Sequence, residues 1–185
     1  MADSKGARRV AQVALGTMLL FGVAATAGAW AIWADLPPPL SPEQSLLSSP
    51  WPAAPWVRIY VAGVPYTTEL ATHPRIVAQA DEHAGVHTYE VWQSVRGPHA
   101  HLFIDQLHAE AHVGGGPTRL WVEFRGEEAE RILEVLETIE DYPCKDRYRL
   151  WPGPNSNGFA QWVLDEADIE HRLPRSSFGA GFGCR

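Results

Sequence analysis

The sequence predicts an α+β fold built on a mainly antiparallel sheet. Short segments in which apolar and polar residues alternate fill much of the chain after residue 56, and this pattern is typical of strands. The two segments with helical spacing come late, after most of these strands. This order differs from the strand–helix alternation of a parallel sheet and favours α+β.

Five segments are predicted as strands from their β-branched and aromatic residues. They are residues 57–61, 75–79, 88–93, 101–105 and 119–124. A last strand is predicted at 147–151, where it runs into a proline-rich turn.

Two helices are predicted. The first spans Glu127 to Glu140, because its apolar residues recur at a spacing of three and four and its first turn is rich in glutamate. Tyr142-Pro143 ends this segment. The second helix runs from about Ser156 to Asp168, and its apolar residues are Phe159, Trp162 and Val163.

Residues 10–33 carry no charge and are predicted to be a transmembrane anchor. The basic residues of segment 1–9 precede this stretch and Asp35 follows it, so the positive-inside rule leaves the N-terminus in the cytoplasm and exports the rest. Small residues at 25–27 also fit a signal-peptidase site, which leaves cleavage open. The expected location is a cytoplasmic (inner) membrane, with the domain in the periplasm or outside the cell.

A proline-rich linker, residues 34–56, is expected to separate the anchor from one extracytoplasmic domain at 57–185. Beyond the anchor the chain keeps 12 of its 15 basic and 21 of its 22 acidic residues, a formal charge of −9. This balance argues against a nucleic-acid partner. The expected partners are the membrane, through the N-terminal helix, and an unidentified envelope substrate or protein.

The two cysteines, Cys144 and Cys184, permit two interpretations. In an oxidising compartment they would form a disulfide that closes a loop of about 40 residues. Two free thiols are the alternative. Neither cysteine has neighbours that indicate catalysis.

The turn Trp151-Pro-Gly-Pro-Asn-Ser-Asn-Gly-Phe159 delivers Ser156 to the start of a helix. Such a hydroxyl is either a nucleophile or a helix cap, and a nucleophilic serine needs a base within about 3 Å. Among eight histidines, His73 leads into a strand, where a base is held firmly. Glu90 and Gln93 are candidates to orient it. The alternative is a strand-end histidine bonded to backbone.

A histidine-rich stretch gives a second candidate site. His99 and His101 would share one face of a strand, and His108 and His112 one face of a helix, with Asp105 or Glu110 nearby. Imidazoles at this spacing suit zinc. The stretch ends in Gly114-Gly-Gly116 and does not contain the His-Glu-x-x-His motif, so a solvated loop is favoured. No metal and no cofactor are predicted.

The Tyr148–Phe159 block, with Asp141-Tyr-Pro before it and Leu173-Pro174 after it, resembles a bacterial family of unknown function, domain-of-unknown-function family 3750. Members are membrane-anchored and carry a near-identical Trp-Pro-Gly-Pro-Asn-Ser-Asn-x-Phe block. They also carry an Ala-x-His-x-x-Ile segment that matches Ala71 to Ile76 and so singles out His73. Between Trp92 and Gly116 this chain departs from the family, which usually shows a Gly-Trp-Gly type of segment there.

A more distant resemblance implies a mechanism. Circularly permuted papain-like hydrolases place a histidine on an early strand and begin a late helix with Asn-Cys-x-x-Phe, in which the cysteine is the nucleophile. Asn155 to Phe159 looks like that motif, with Ser156 in the position of the cysteine. The resemblance implies an acyl-directed hydrolase or transferase, in which the backbone around Ser156 and Asn157 holds the oxyanion. Asn155, Asn157, Trp92 and Trp162 are predicted to bind the ligand. The alternative is a non-catalytic envelope binding or scaffold domain, because serine gains less than cysteine from a helix N-terminus.

Overall fold

The computed structural model describes residues 24–32, 34–40, 51–64, 67, 70–94, 100–105 and 116–184. Residues 24–32 are helical. No helix within these ranges has both the length and the apolar character that crossing a bilayer requires. Most of the predicted anchor, residues 10–33, and much of the linker lie outside the described residues.

Five predicted strands form a single antiparallel sheet. They are β1 (Trp56–Gly63), β2 (Thr72–Gln79), β3 (His87–Val91), β4 (Leu102–Ile104) and β5 (Thr118–Arg125). The strands lie in the order β4-β3-β2-β1-β5, and each neighbouring pair is antiparallel. The predicted α+β class with an antiparallel sheet is therefore confirmed.

Two helices cover one face of the sheet. The first, α1 (Glu127–Glu137), is followed by a short 3-10 turn at Ile139–Asp141, and the second is α2 (Ser156–Glu166). The apolar stripe of α1 is buried at Ala129, Ile132 and Leu136, as its spacing predicts. The main core lies between these helices and the apolar residues of the strands.

The strand pleat places chemically different residues on the two faces of the sheet. Ile76 pairs with Tyr89 across β2 and β3, and both contact the core under the helices. Because successive side chains alternate between faces, their neighbours Arg75 and Glu90 point to the opposite face. That face also carries a smaller apolar cluster, in which Trp51 stacks on Trp56 with ring centroids 4.7 Å apart.

The predicted strand at 147–151 is wrong. This segment is irregular, and the Arg149 N–H donates to the carbonyl of Pro154 at 2.7 Å instead of to a neighbouring strand. The Leu150 carbonyl accepts from the side chain of Asn155 at 3.0 Å. These bonds fold the segment onto the proline-rich turn, so its alternating residues do not extend the sheet.

Cys144 and Cys184 form a disulfide, which decides between the two interpretations of these cysteines: they are bonded and are not free thiols. The bond joins the segment after α1 to the C-terminal tail, 40 residues further along the chain. The tail is therefore attached covalently to the body of the domain close to its end.

Candidate active site

His73 and Glu90 form a buried pair on neighbouring strands. His73 lies near the start of β2 and Glu90 near the end of β3, and His73 Nε2 is 3.1 Å from Glu90 Oε2. The pairing of β2 with β3 brings the two side chains together on the same face. Glu90 is thus the predicted orienting residue that contacts His73.

Two further residues bind the Glu90 carboxylate. Arg75 Nε donates to Oε1 at 2.6 Å, and the indole N–H of Trp92 donates to Oε2 at 3.0 Å. Burial raises the pKa of Glu90, but the hydrogen bond from His73 and the charge of Arg75 outweigh it and hold that pKa below its usual value. The carboxylate is therefore ionised at neutral pH.

These contacts determine which nitrogen of His73 is free to act as a base. An ionised carboxylate can only accept, so the hydrogen of the neutral ring lies on Nε2 and Nδ1 presents a lone pair. The Trp92 ring packs against the imidazole with centroids 4.3 Å apart and limits its rotation. The arrangement orients Nδ1 as a proton acceptor.

Ser156 is the first residue of α2, and Asn155 caps that helix. Asn155 Oδ1 accepts from the N–H of Gly158 at 3.0 Å, while its Nδ2 donates to the carbonyls of Leu150 and Phe178, each at 3.0 Å. One side chain thus joins the turn, the helix and the C-terminal tail. The first N–H groups of α2 remain free of intrahelical bonds and can stabilise negative charge.

Asn155→Ala is expected to lower the free energy of unfolding by about 2 kcal/mol, because it removes the helix cap and two further hydrogen bonds that join the turn to the tail. Asn155→Ser is the control, since it keeps a capping oxygen, adds no charge and loses the two donor bonds, and it should recover part of the loss. Urea unfolding of both variants measures the effect. An alanine variant as stable as the wild type would show that the cap is dispensable.

Tyr148 is a site residue that the sequence interpretation missed. Burial raises the pKa of its hydroxyl, and an interaction with the Ser156 side chain partly offsets the rise, so the two side chains are near one another. The Tyr148 ring also packs against His101, with centroids 5.7 Å apart. Its segment was predicted as a strand, which hid the contact with Ser156.

A single cavity of about 460 Å³ brings the candidate residues together. His73 and Ser156 both line it, so one bound molecule can contact both. They make no direct hydrogen bond to each other. Ser156 is only 4% exposed and is reached through this cavity.

The other predicted site residues divide into two groups. Asn155, Asn157, Trp92 and Gln93 line the cavity, although Gln93 is exposed and makes no bond to His73. Asn157 Nδ2 donates to the Phe178 carbonyl at 2.9 Å, and its buried Oδ1 has no partner among the described residues. Trp162 does not line this cavity and packs against Tyr142, with ring centroids 5.0 Å apart.

The histidine-rich stretch is only partly described. His99, His108, Glu110 and His112 lie outside the described residues, whereas His101 Nδ1 is 2.8 Å from the carbonyl oxygen of Trp92. No group of three or more potential metal ligands occurs in the part of the chain that the structure describes.

The fold and the site define an α+β domain in which a histidine that lines a cavity is paired with a buried glutamate. The chain belongs to a family of proteins of unknown function, DUF3750, whose model matches residues 54–182. No curated protein and no solved structure shows a significant match to it.

Proposed function

We propose that the domain is an acyl-directed hydrolase or acyltransferase that acts on a peptide, amide or ester. Ser156 is the nucleophile, His73 is the base, and Glu90 orients the imidazole. The observation that carries the proposal is the shared cavity, in whose wall an oriented His73 and the helix-terminal Ser156 both lie.

The reaction follows from these positions. Ser156 Oγ attacks the acyl carbonyl carbon and its proton passes to His73 Nδ1. The N–H groups of Ser156 and Asn157 stabilise the oxyanion. The leaving group departs with the proton from His73, and water or an acceptor alcohol or amine then takes the acyl group from Ser156. For the first step the Ser156 hydroxyl must form a hydrogen bond to His73 Nδ1, and catalytic hydrogen bonds of this kind often tighten only in the substrate complex.

The permuted papain-like architecture and the envelope location belong to the same proposal. The early-strand histidine and the Asn-Ser-x-x-Phe start of α2 support the architecture. The uncharged residues 10–33, with basic residues before them, support a membrane anchor and an exported domain. The disulfide supports an oxidising compartment. The membrane and an envelope substrate are the proposed partners, and no nucleic acid is involved.

A fluorophosphonate probe is expected to label the wild-type chain at Ser156, because the probe reports a serine that a base activates. Labelling should disappear in Ser156→Ala and fall by at least about 100-fold in His73→Ala, since general-base catalysis typically contributes that much. Mass spectrometry of the labelled peptide locates the site. Ser94→Ala is the control, since Ser94 is exposed and does not line the cavity. Absence of labelling in folded protein would contradict the proposal.

A binding or scaffold domain is the second candidate function. The observation that favours it is that Ser156 interacts with Tyr148 and makes no hydrogen bond to His73. This alternative expects Ser156→Ala to preserve cellular function while Trp92→Ala, which removes a wall of the cavity, impairs it. The enzyme proposal expects both variants to lose function.

A further inference from the structure

The cavity beside Ser156 is lined by apolar side chains, by hydroxyl and amide side chains and by the imidazole of His73. Among the described residues no aspartate, glutamate, lysine or arginine lines it. Its apolar wall consists of Val64, Ala71, Trp92, Leu150, Trp151 and Phe178. A ligand therefore meets mainly hydrocarbon surface, a few hydroxyl and amide groups, and the His73 imidazole.

The nearest ionised pair does not offer a counter-charge to a ligand. Arg75 and Glu90 are each 1% exposed and contact one another at 2.6 Å, so their opposite charges largely cancel toward the cavity. A charge at the far end of a ligand, away from His73 and the start of α2, would lose its hydration and meet only apolar side chains, which is strongly unfavourable. The cavity thus discriminates against an acyl chain that ends in a charge.

The mouth of the cavity is also apolar. Leu150 and Trp151 are 71% and 73% exposed, and Phe178 is 42% exposed. Large apolar side chains that are exposed beside a cavity are typical of a ligand-binding surface. Here they extend the apolar wall outward to the solvent.

We propose that the acyl group bound by this cavity is an uncharged alkyl chain. This proposal rests on the function proposed above for the reaction itself. Binding of the alkyl chain does not depend on whether Ser156 is reactive. The volume of about 460 Å³ falls within the range of small-molecule sites and accommodates such a chain beside His73 and Ser156.

Calorimetric titration of the full-length chain in lipid nanodiscs with butanamide, hexanamide and octanamide tests the proposal, with empty nanodiscs as the blank. The association constant should rise about fourfold for each added methylene. Suberamic acid, which has the length of octanamide and a carboxylate at its far end, should bind at least about tenfold more weakly than octanamide.

Two phenylalanines give a matched pair of variants. Phe178 and Phe182 are 42% and 41% exposed, but only Phe178 lines the cavity. Phe178→Ala should weaken octanamide binding about tenfold, because it removes apolar contact area. Phe182→Ala removes a similar side chain outside the cavity and should leave binding within about twofold of the wild type.

The outcomes separate this inference from the proposed reaction. Alkyl-chain selectivity without fluorophosphonate labelling would support the alkyl-chain site and overturn the reaction. If the probe labels Ser156 but suberamic acid binds as tightly as octanamide or more tightly, the proposed reaction stands and the alkyl-chain specificity is wrong. Failure of octanamide to bind, or equal effects of the two phenylalanine variants, would also overturn the alkyl chain.

Discussion

Arg75→Met is expected to lower the free energy of unfolding by about 3–5 kcal/mol, which is the usual cost of removing one partner from a buried ion pair. Glu90 would keep its bonds to His73 and Trp92 but lose the cation 2.6 Å from Oε1. Methionine fills much of the volume of the arginine stem, so the loss of charge dominates the effect. Urea unfolding at neutral pH measures it.

The double variant Arg75→Met with Glu90→Gln is the control for this prediction. It removes both charges, keeps a polar group near His73 and Trp92, and should recover most of the lost stability. Recovery would assign the cost to the uncompensated carboxylate. If the double variant is as unstable as Arg75→Met, the cost belongs to packing around residue 75 instead.

The same carboxylate makes stability depend on pH in a defined direction. The pKa of Glu90 is lower in the folded chain than its ordinary value of 4.5, so the folded state favours the ionised form. Its contribution is fully present above pH 4.5 and is lost as the pH falls through the lower folded value. Unfolding measurements on the wild type and Glu90→Gln should therefore show a steeper acid loss in the wild type.

Most strands were predictable because local pattern and tertiary structure agree. In β1 every residue is buried, but Val57 and Ile59 belong to the main core and Tyr60 to the smaller cluster on the opposite face, so the period of two is kept. The observed bounds of β1 and β5 differ from the predicted ones by one or two residues. Segment 147–151 has a similar composition, but hydrogen bonds within the turn hold its backbone. The alternation of residue types in this segment does not indicate which groups its backbone hydrogen-bonds to, and the strand prediction failed for that reason.

The candidate site was predictable only in part. A histidine and a glutamate on adjacent strands could be proposed from sequence, but Arg75 was overlooked because arginine in a strand usually reaches solvent. The sequence could have indicated this contact, because an antiparallel pairing of β2 with β3 that joins Ile76 to Tyr89 places Arg75 opposite Glu90. Trp162 was misplaced because six residues along a helix turn its side chain about 120° away from that of Ser156.

The disulfide between Cys144 and Cys184 should stabilise the domain by about 3–4 kcal/mol, because it closes a loop of 40 residues in the unfolded chain. Cys144→Ser with Cys184→Ser is expected to lose this stability, measured by urea unfolding. The wild type with reductant should lose a similar amount. The double variant should not respond to reductant, which makes it the control.

The same substitutions should also weaken the candidate site, because the disulfide holds the tail that completes its wall. The tail supplies Phe178 to the cavity wall. The hydroxyls of Ser176 and Ser177, just before it, lie 3.1 Å and 2.9 Å from Thr72 Oγ1 in β2. Thr72 precedes His73 in β2, so a loosened tail alters the cavity at its base. Octanamide binding should then fall in the double serine variant under conditions where circular dichroism shows a folded chain. Unchanged binding in that folded variant would show that the hydroxyl contacts with Thr72 hold the tail without the covalent bond.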